Sequence, residues 1–102
     1  MKVSEISVSN VVEYLKLEEG EYTDVNIQTL IDTAKVFIEG YTGIPITSTD
    51  ETVKTLDAYE DFYIVVMVLC QDMHDNRSLY IDKNNLNKVV ETILGMHSVN
   101  LL

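Results

Sequence analysis

The chain has 102 residues, 46% of them hydrophobic, and its 17 acidic and 7 basic residues give a formal net charge of −10. This length and apolar content predict one folded domain, 1–102, and exclude a disordered chain. The strong negative charge argues against a firm grip on nucleic acid, because like charges repel phosphate.

The first predicted helix is about two to three turns long. Ser7 or Ser9 can cap its start, since a serine hydroxyl accepts a hydrogen bond from a free N–H group of the first turn. Apolar residues follow at helical spacing: Val8, Val11, Val12 and Leu15. The segment 18–20, two glutamates and a glycine, then ends the helix.

The second predicted helix has the clearest pattern in the chain. Its apolar residues form one stripe with steps of three and four: Ile27, Leu30, Ile31, Ala34, Phe37, Ile38 and Tyr41. Thr23 or Asp24 can cap its start. Gly43 can adopt the left-handed conformation that ends many helices, and Pro45 cannot continue one. We therefore expect a loop over 44–52.

The third predicted helix covers 56–73. Its apolar pattern is longer than a typical strand, which favours a helix over the buried strand that the β-branched run 63–69 could form. The residues of this pattern are Leu56, Tyr59, Tyr63, Val66, Cys70 and Met73. The apolar run is less than half the roughly 20 residues that span a bilayer, so we expect no membrane segment and no membrane partner.

The opposite face of this third helix carries Ile64 and Val68 between polar residues. If the main stripe packs in the core, these two side chains form an exposed apolar patch of the kind that often marks a protein contact. The alternative is a central helix that is covered on both sides.

The last predicted helix starts near Asp82, an N-cap candidate. One face carries Leu86, Val89, Val90, Ile93 and His97. The tail 96–102 is unusually apolar for a terminus, and we expect its residues Val99, Leu101 and Leu102 to contact a protein. The predicted fold is thus all-α, with two long amphipathic central helices between a short N-terminal and a short C-terminal helix.

Catalytic chemistry has no visible basis in the sequence, which lacks a phosphate-binding glycine loop, a nucleophile elbow and a zinc-binding motif. Cys70 and His74 share a helix face at i and i+4, but a structural zinc usually takes four ligands and the other histidine is His97. A buried thiol is therefore the favoured interpretation of Cys70. We expect no enzyme, no metal and no cofactor.

Arg77 is the only arginine and lies in Asp75-Asn76-Arg77, where the third helix should end. Its side chain can clamp a carboxylate with two hydrogen bonds, within the subunit or on a partner. It can equally provide a positive charge that matches the negative end of the helix dipole. The sequence leaves both roles open.

The helix order and two helix endings resemble the head-tail connector (adaptor) proteins of tailed bacteriophages. The residues that carry the resemblance are the second helix ending in Ile38-Glu39-Gly40-Tyr41-Thr42-Gly43 and the third ending in Met73-His74-Asp75-Asn76-Arg77. The closing Val90-Glu91-Thr92-Ile93-Leu94 fits a last helix before a short tail. In that family an aromatic residue often takes the place of His74 and a basic residue that of Ile44.

The resemblance implies a structural virion protein of a phage or prophage, without catalysis. Such proteins form a ring, usually of twelve subunits, beneath the portal, where they connect head to tail and help in head completion and DNA retention. The implied partners are other copies of the chain, the portal protein, the next neck protein and DNA that is encircled without specific binding. The implied location is the virion neck, and the host bacterial cytoplasm during assembly.

An alternative class is an acidic inhibitor, such as an antitoxin or a DNA-mimicking anti-restriction protein that binds a basic enzyme. Residues 1–61 hold 13 acids and 4 bases, a balance of −9, whereas 62–102 hold 4 acids and 3 bases, a balance of −1. Such a one-sided field can either keep DNA from adhering to a ring or attract a basic partner. The lone cysteine and the absence of a secretion signal favour a reducing cytoplasm in both cases.

Overall fold

The computed structural model describes residues 1–77, 81 and 86–97. In this part of the chain there are four α-helices and no strand: α1 (Val8–Leu15), α2 (Asp24–Thr42), α3 (Phe62–Asp75) and α4 (Lys88–His97). Two single-turn 3₁₀ helices, Val3–Glu5 and Leu56–Ala58, precede α1 and α3. The prediction of an all-α fold with two longer central helices is confirmed.

Helix α1 begins and ends through local backbone chemistry. The Ser7 hydroxyl accepts a hydrogen bond from the Asn10 N–H at 3.3 Å, and the Asn10 side chain accepts one from the Ser7 N–H at 2.8 Å. This reciprocal pair makes Ser7, and not Ser9, the cap. The helix ends because Lys16 adopts a left-handed conformation with φ 56°.

Helix α2 has both predicted ends. The Thr23 hydroxyl accepts a hydrogen bond from the Asn26 N–H at 3.2 Å and caps the start. Gly43 follows the last turn with φ 79°, and its N–H donates to the Glu39 carbonyl at 2.9 Å. Because a left-handed backbone has little steric cost only for glycine, this position fixes where α2 stops.

The third predicted helix is wrong in its first part. Leu56–Ala58 forms a 3₁₀ turn, Tyr59 is extended with φ −122° and ψ 104°, and α3 begins only at Phe62. The apolar spacing indicates burial and not backbone conformation: Leu56 is fully buried and Tyr59 and Tyr63 are half-buried against the core, although the backbone turns between Leu56 and Tyr63. A hydrogen bond of 2.8 Å from the Ser4 N–H to Asp57 holds the 3₁₀ turn against the N-terminal segment.

The start and the face of α4 also differ from the prediction. The helix begins at Lys88, and the Asn87 side chain accepts a hydrogen bond from the Val89 N–H at 2.8 Å. Val89 is 53% exposed, whereas Val90 is fully buried. The predicted face contained both valines, but packing against α2 and α3 buries Val90 together with Leu94 and leaves Val89 exposed. The predicted cap Asp82 lies outside the described residues.

The core lies where α2 and α3 pack against each other, with α1 and α4 covering them. Its fully buried apolar side chains are Val11, Ile31, Ala34, Ile38, Leu56, Phe62, Val65, Val66, Cys70, Val90 and Leu94. No helix in the described part of the chain is long and apolar enough to cross a membrane.

Thr42 is a buried polar residue in this core. Its hydroxyl donates to the Ile38 carbonyl at 2.7 Å and accepts from the Ile44 N–H at 3.1 Å, so it joins the last turn of α2 to the following loop.

We expect Thr42→Val to lower the free energy of unfolding by about 1 to 3 kcal/mol, because the buried Ile44 N–H loses its acceptor. Thr29→Val is the matched control, since the Thr29 hydroxyl makes the same i−4 bond on the exposed side of α2. Urea unfolding followed by circular dichroism measures both changes. Equal stabilities of the two variants would contradict the role given to Thr42.

Candidate protein-interaction surfaces

An open cleft of about 610 Å³ lies between the start of α2 and the end of α3. Its floor is apolar, because Ile27, Leu30 and Met73 are buried residues. Polar and charged side chains form its rim: Glu21, Tyr22, Asn26, His74 and Arg77. We call this feature the Arg77 cleft.

Arg77 lies just beyond the end of α3. Asn76 caps the helix, Arg77 has a left-handed backbone with φ 51°, and its N–H donates to the His74 carbonyl at 3.2 Å. Within the described residues no carboxylate lies within 4.0 Å of its guanidinium. A clamp within the subunit is therefore not formed by this part of the chain, and Arg77 is an exposed cation beside an apolar floor.

The predicted patch on α3 is smaller than expected. Ile64 is 40% exposed, whereas Val68 is half-buried against the core. Two carboxylates precede them: Glu60 is exposed, and Asp61 is engaged by His97. We call Glu60, Ile64 and Val68 the α3 patch.

The outer face of α4 is apolar and exposed, although the sequence pattern placed Val89 and Ile93 on the same face as the buried Val90. Val89 and Met96 are 53% and 67% exposed, and the half-buried Ile93 lies between them on the same face. Of the predicted apolar tail, Met96 and His97 are described. The candidate contact residues Val99, Leu101 and Leu102 lie outside the described residues.

His97 joins the end of α4 to the start of α3. Its Nε2 atom is 2.7 Å from the Asp61 Oδ2 atom, and its ring lies 4.7 Å from that of Tyr59 and 5.1 Å from that of Phe62. The sequence placed His97 on an inward face, but spacing alone could not identify these partners, which are at least 35 residues away in the chain.

Cys70 and His74 do not belong to a metal-binding cluster of described residues, where no three His, Cys, Asp or Glu side chains are grouped suitably. Cys70 is fully buried, and burial raises the pKa of its thiol to about 12. A thiol ligand must lose its proton to bind zinc, which this environment opposes. The His74 ring lies 3.8 Å from the Asp75 carboxylate, with which it can form an ion pair only when protonated.

We expect an alkylating reagent at mildly alkaline pH to modify Cys70 at least about 100-fold more slowly in the folded protein than after unfolding in urea, because only an accessible thiolate reacts. Mass spectrometry of timed samples measures the two rates. Equal rates would mean that the core around Cys70 opens readily.

The acidic surface is concentrated in the first part of the chain. Its exposed acidic residues are Glu5, Glu13, Glu18, Glu19, Glu21, Asp24, Asp32, Asp50, Glu51 and Glu60. Hydrogen bonds with the Thr52 side chain and backbone lower the pKa of Asp50. Partial burial raises the pKa of Asp57, but the hydrogen bonds from Ser4 and the charges of Lys2 and Lys35 outweigh it and bring the pKa below its usual value.

At the end of α3 the pKa of a carboxyl group is raised and not lowered. Burial first, and then the neighbouring Asp75 charge, raise the pKa of Asp72. This carboxyl group lies near the end of a helix, where the helix dipole also disfavours negative charge. Arg77 therefore places a positive charge at the C-terminal end of α3, where the carboxylates of the helix itself are disfavoured.

Comparisons with known proteins give no relative for this chain. No protein-family model matches it. No curated protein and no solved structure matches it either.

Proposed function

We propose that this chain is a structural virion protein of a tailed phage or prophage that forms a ring under the portal, connects head to tail and helps in head completion and DNA retention. Its action is binding, without catalysis. Its partners are other copies of the chain, the portal protein and the next neck protein, and it encircles DNA without a specific contact.

The observation that carries this proposal is where the two resembling segments lie. Tyr41-Thr42-Gly43 ends α2 through the left-handed Gly43 and the buried Thr42 hydroxyl. Asp75-Asn76-Arg77 ends α3, with Asn76 as its cap. Both segments are thus helix endings of the two central helices, which is the role that the resemblance gives them.

The surface supports the same proposal. Exposed carboxylates of residues 1–61 provide a surface from which phosphate is repelled, as a channel through which DNA slides requires. Exposed apolar side chains on three helices, Val36, Ile64 and Met96 among them, provide contact area for neighbouring subunits or the portal.

Light scattering over a concentration series, combined with negative-stain imaging, tests this function. The purified chain is examined alone and with the portal protein encoded in the same gene neighbourhood. We expect rings, or chain bound to the portal ring. A protein that stays monomeric alone and does not bind the portal would overturn the proposal.

The density of exposed acids also supports a second candidate, an inhibitor of a basic enzyme. Such an inhibitor needs no self-association and binds through a charge-complementary face. Binding to a basic nuclease that weakens steeply with added salt, by a chain that remains monomeric, would favour this candidate over the connector.

A further inference from the structure

We propose that neighbouring copies of this chain contact each other head to tail, with the α3 patch of one copy filling the Arg77 cleft of the next. Glu60 pairs with Arg77, and Ile64 lies on the apolar floor. This inference rests on the proposed ring and names the contact that builds it.

The Arg77 cleft has a positive charge without a carboxylate partner and an apolar floor without a covering side chain among the described residues. Arg77 has no carboxylate partner among them, although the chain has 17 acidic residues. Glu21, which lines the same rim, is held by its own loop, because its carboxylate accepts a hydrogen bond from the Glu18 N–H at 2.6 Å. An occupant of this cleft therefore needs a carboxylate beside an apolar side chain.

The α3 patch offers that combination. Glu60 lies in the turn that leads into α3, where its carbonyl accepts a hydrogen bond from the Tyr63 N–H at 3.3 Å, and it precedes Ile64 by four residues, about one helical turn. The other carboxylate of this segment, Asp61, is already bound by His97, which leaves Glu60 available. The outer face of α4 is more apolar, but the exposed Glu91 lies two residues from both Val89 and Ile93 and therefore on the opposite side of the helix from their stripe.

The patch cannot fill the cleft of its own subunit. Ile64 and His74 belong to the same rigid helix and lie about 15 Å apart along its axis at 1.5 Å per residue. The contact must therefore join two molecules.

Patch and cleft are different surfaces at opposite ends of α3. A contact between two different surfaces is heterologous, so each copy keeps a free patch and a free cleft after the first contact forms. Repetition of such a contact closes a ring when the rotation between copies divides a full turn. Repetition of the contact between the α3 patch and the Arg77 cleft would therefore build the proposed ring.

A charge exchange tests the contact in the full-length protein. Arg77→Glu and Glu60→Lys are made singly and together, and self-association is measured by sedimentation equilibrium, with circular dichroism to show that each variant is folded. We expect each single change to weaken association by roughly 10- to 100-fold, because like charges then meet in the cleft. The double variant restores an opposite pair, and we expect association within about 3-fold of the original.

Glu13→Lys is the matched control, since it makes the same charge change at an exposed position of α1 outside both surfaces, and we expect it to leave association unchanged. Ile64→Asp should weaken association without affecting helicity. Assembly that is unaffected by the single changes, or a double variant that does not recover, would overturn the contact while leaving the ring intact. A parent protein that is monomeric at every concentration overturns the contact too, whereas loss of portal binding bears on the function alone.

Discussion

Replacing Phe62 by alanine should cost about 3 to 5 kcal/mol of unfolding free energy, because it removes a fully buried aromatic ring and leaves a cavity. Phe62 is the first residue of α3, and its ring lies 5.2 Å from that of Tyr59 and 5.1 Å from that of His97. The cavity would therefore open where the 3₁₀ turn, α3 and α4 meet. Urea unfolding measured by circular dichroism gives the change.

Phe37→Ala is the control for this result. Phe37 is half-buried on α2 and its ring lies 5.9 Å from that of Tyr41. We expect its removal to cost under about 2 kcal/mol, because less apolar surface returns to water. If Phe62→Ala does not fold, Phe62→Leu keeps much of the volume and provides a measurable loss. A loss at Phe62 no greater than that at Phe37 would contradict the described core.

Leu94→Ala should lower the free energy of unfolding by about 2 to 5 kcal/mol, since Leu94 is a fully buried residue of α4. The variant tests which face of α4 packs against the domain. Leu94 lies on the same stripe as Val90, whereas the predicted face contained both Val89 and Val90 and omitted Leu94. Chemical unfolding again supplies the measurement.

Two adjacent valines supply the matched comparison for α4. Val90→Ala removes a buried side chain and should cost about 1.5 to 3 kcal/mol, whereas Val89→Ala removes a side chain that is 53% exposed and should change stability by under about 0.5 kcal/mol. The reverse order would mean that α4 is rotated by about 100° relative to the described structure.

The sequence predicted those elements whose limits are set by neighbouring residues. Ser7, Thr23 and Gly43 act through bonds that reach three or four residues along the chain, so their effect is visible without any tertiary structure. The long stripe of α2 was equally clear, because one dominant apolar face leaves a single way to pack.

The errors occurred where tertiary contacts choose between local alternatives. Tyr59 belongs to a regular apolar pattern, yet its extended backbone interrupts the predicted helix, and its ring packs on Phe62 and His97. On α4, Val89 and Val90 are the same residue type on two adjacent stripes, and only the packed domain determines which is buried. A periodicity shows that a side chain is apolar, but not which neighbour covers it.

The sequence identified single residues of the candidate contact surfaces, but it did not show which residues lie together on one surface. Arg77 and Ile64 stood out by type and spacing. The floor under Arg77 combines Met73 with Ile27 and Leu30, more than 40 residues earlier in the chain, and such a combination exists only after α2 packs against α3. Asp61 is bound by His97, 36 residues away, which leaves Glu60 as the carboxylate that we propose pairs with Arg77.

Asp61 occupies the position before α3 where a carboxylate ordinarily caps its own helix, yet it makes no such bond and is held by His97 instead. Release of α4 would free this carboxylate to turn back to the open N–H groups of α3 and recover part of the lost energy. We therefore expect hydrogen exchange in α4 to proceed by local opening at lower free energy than global unfolding, while the amides of α3 stay protected. Helix α4 is then expected to detach from the domain before α3 unfolds.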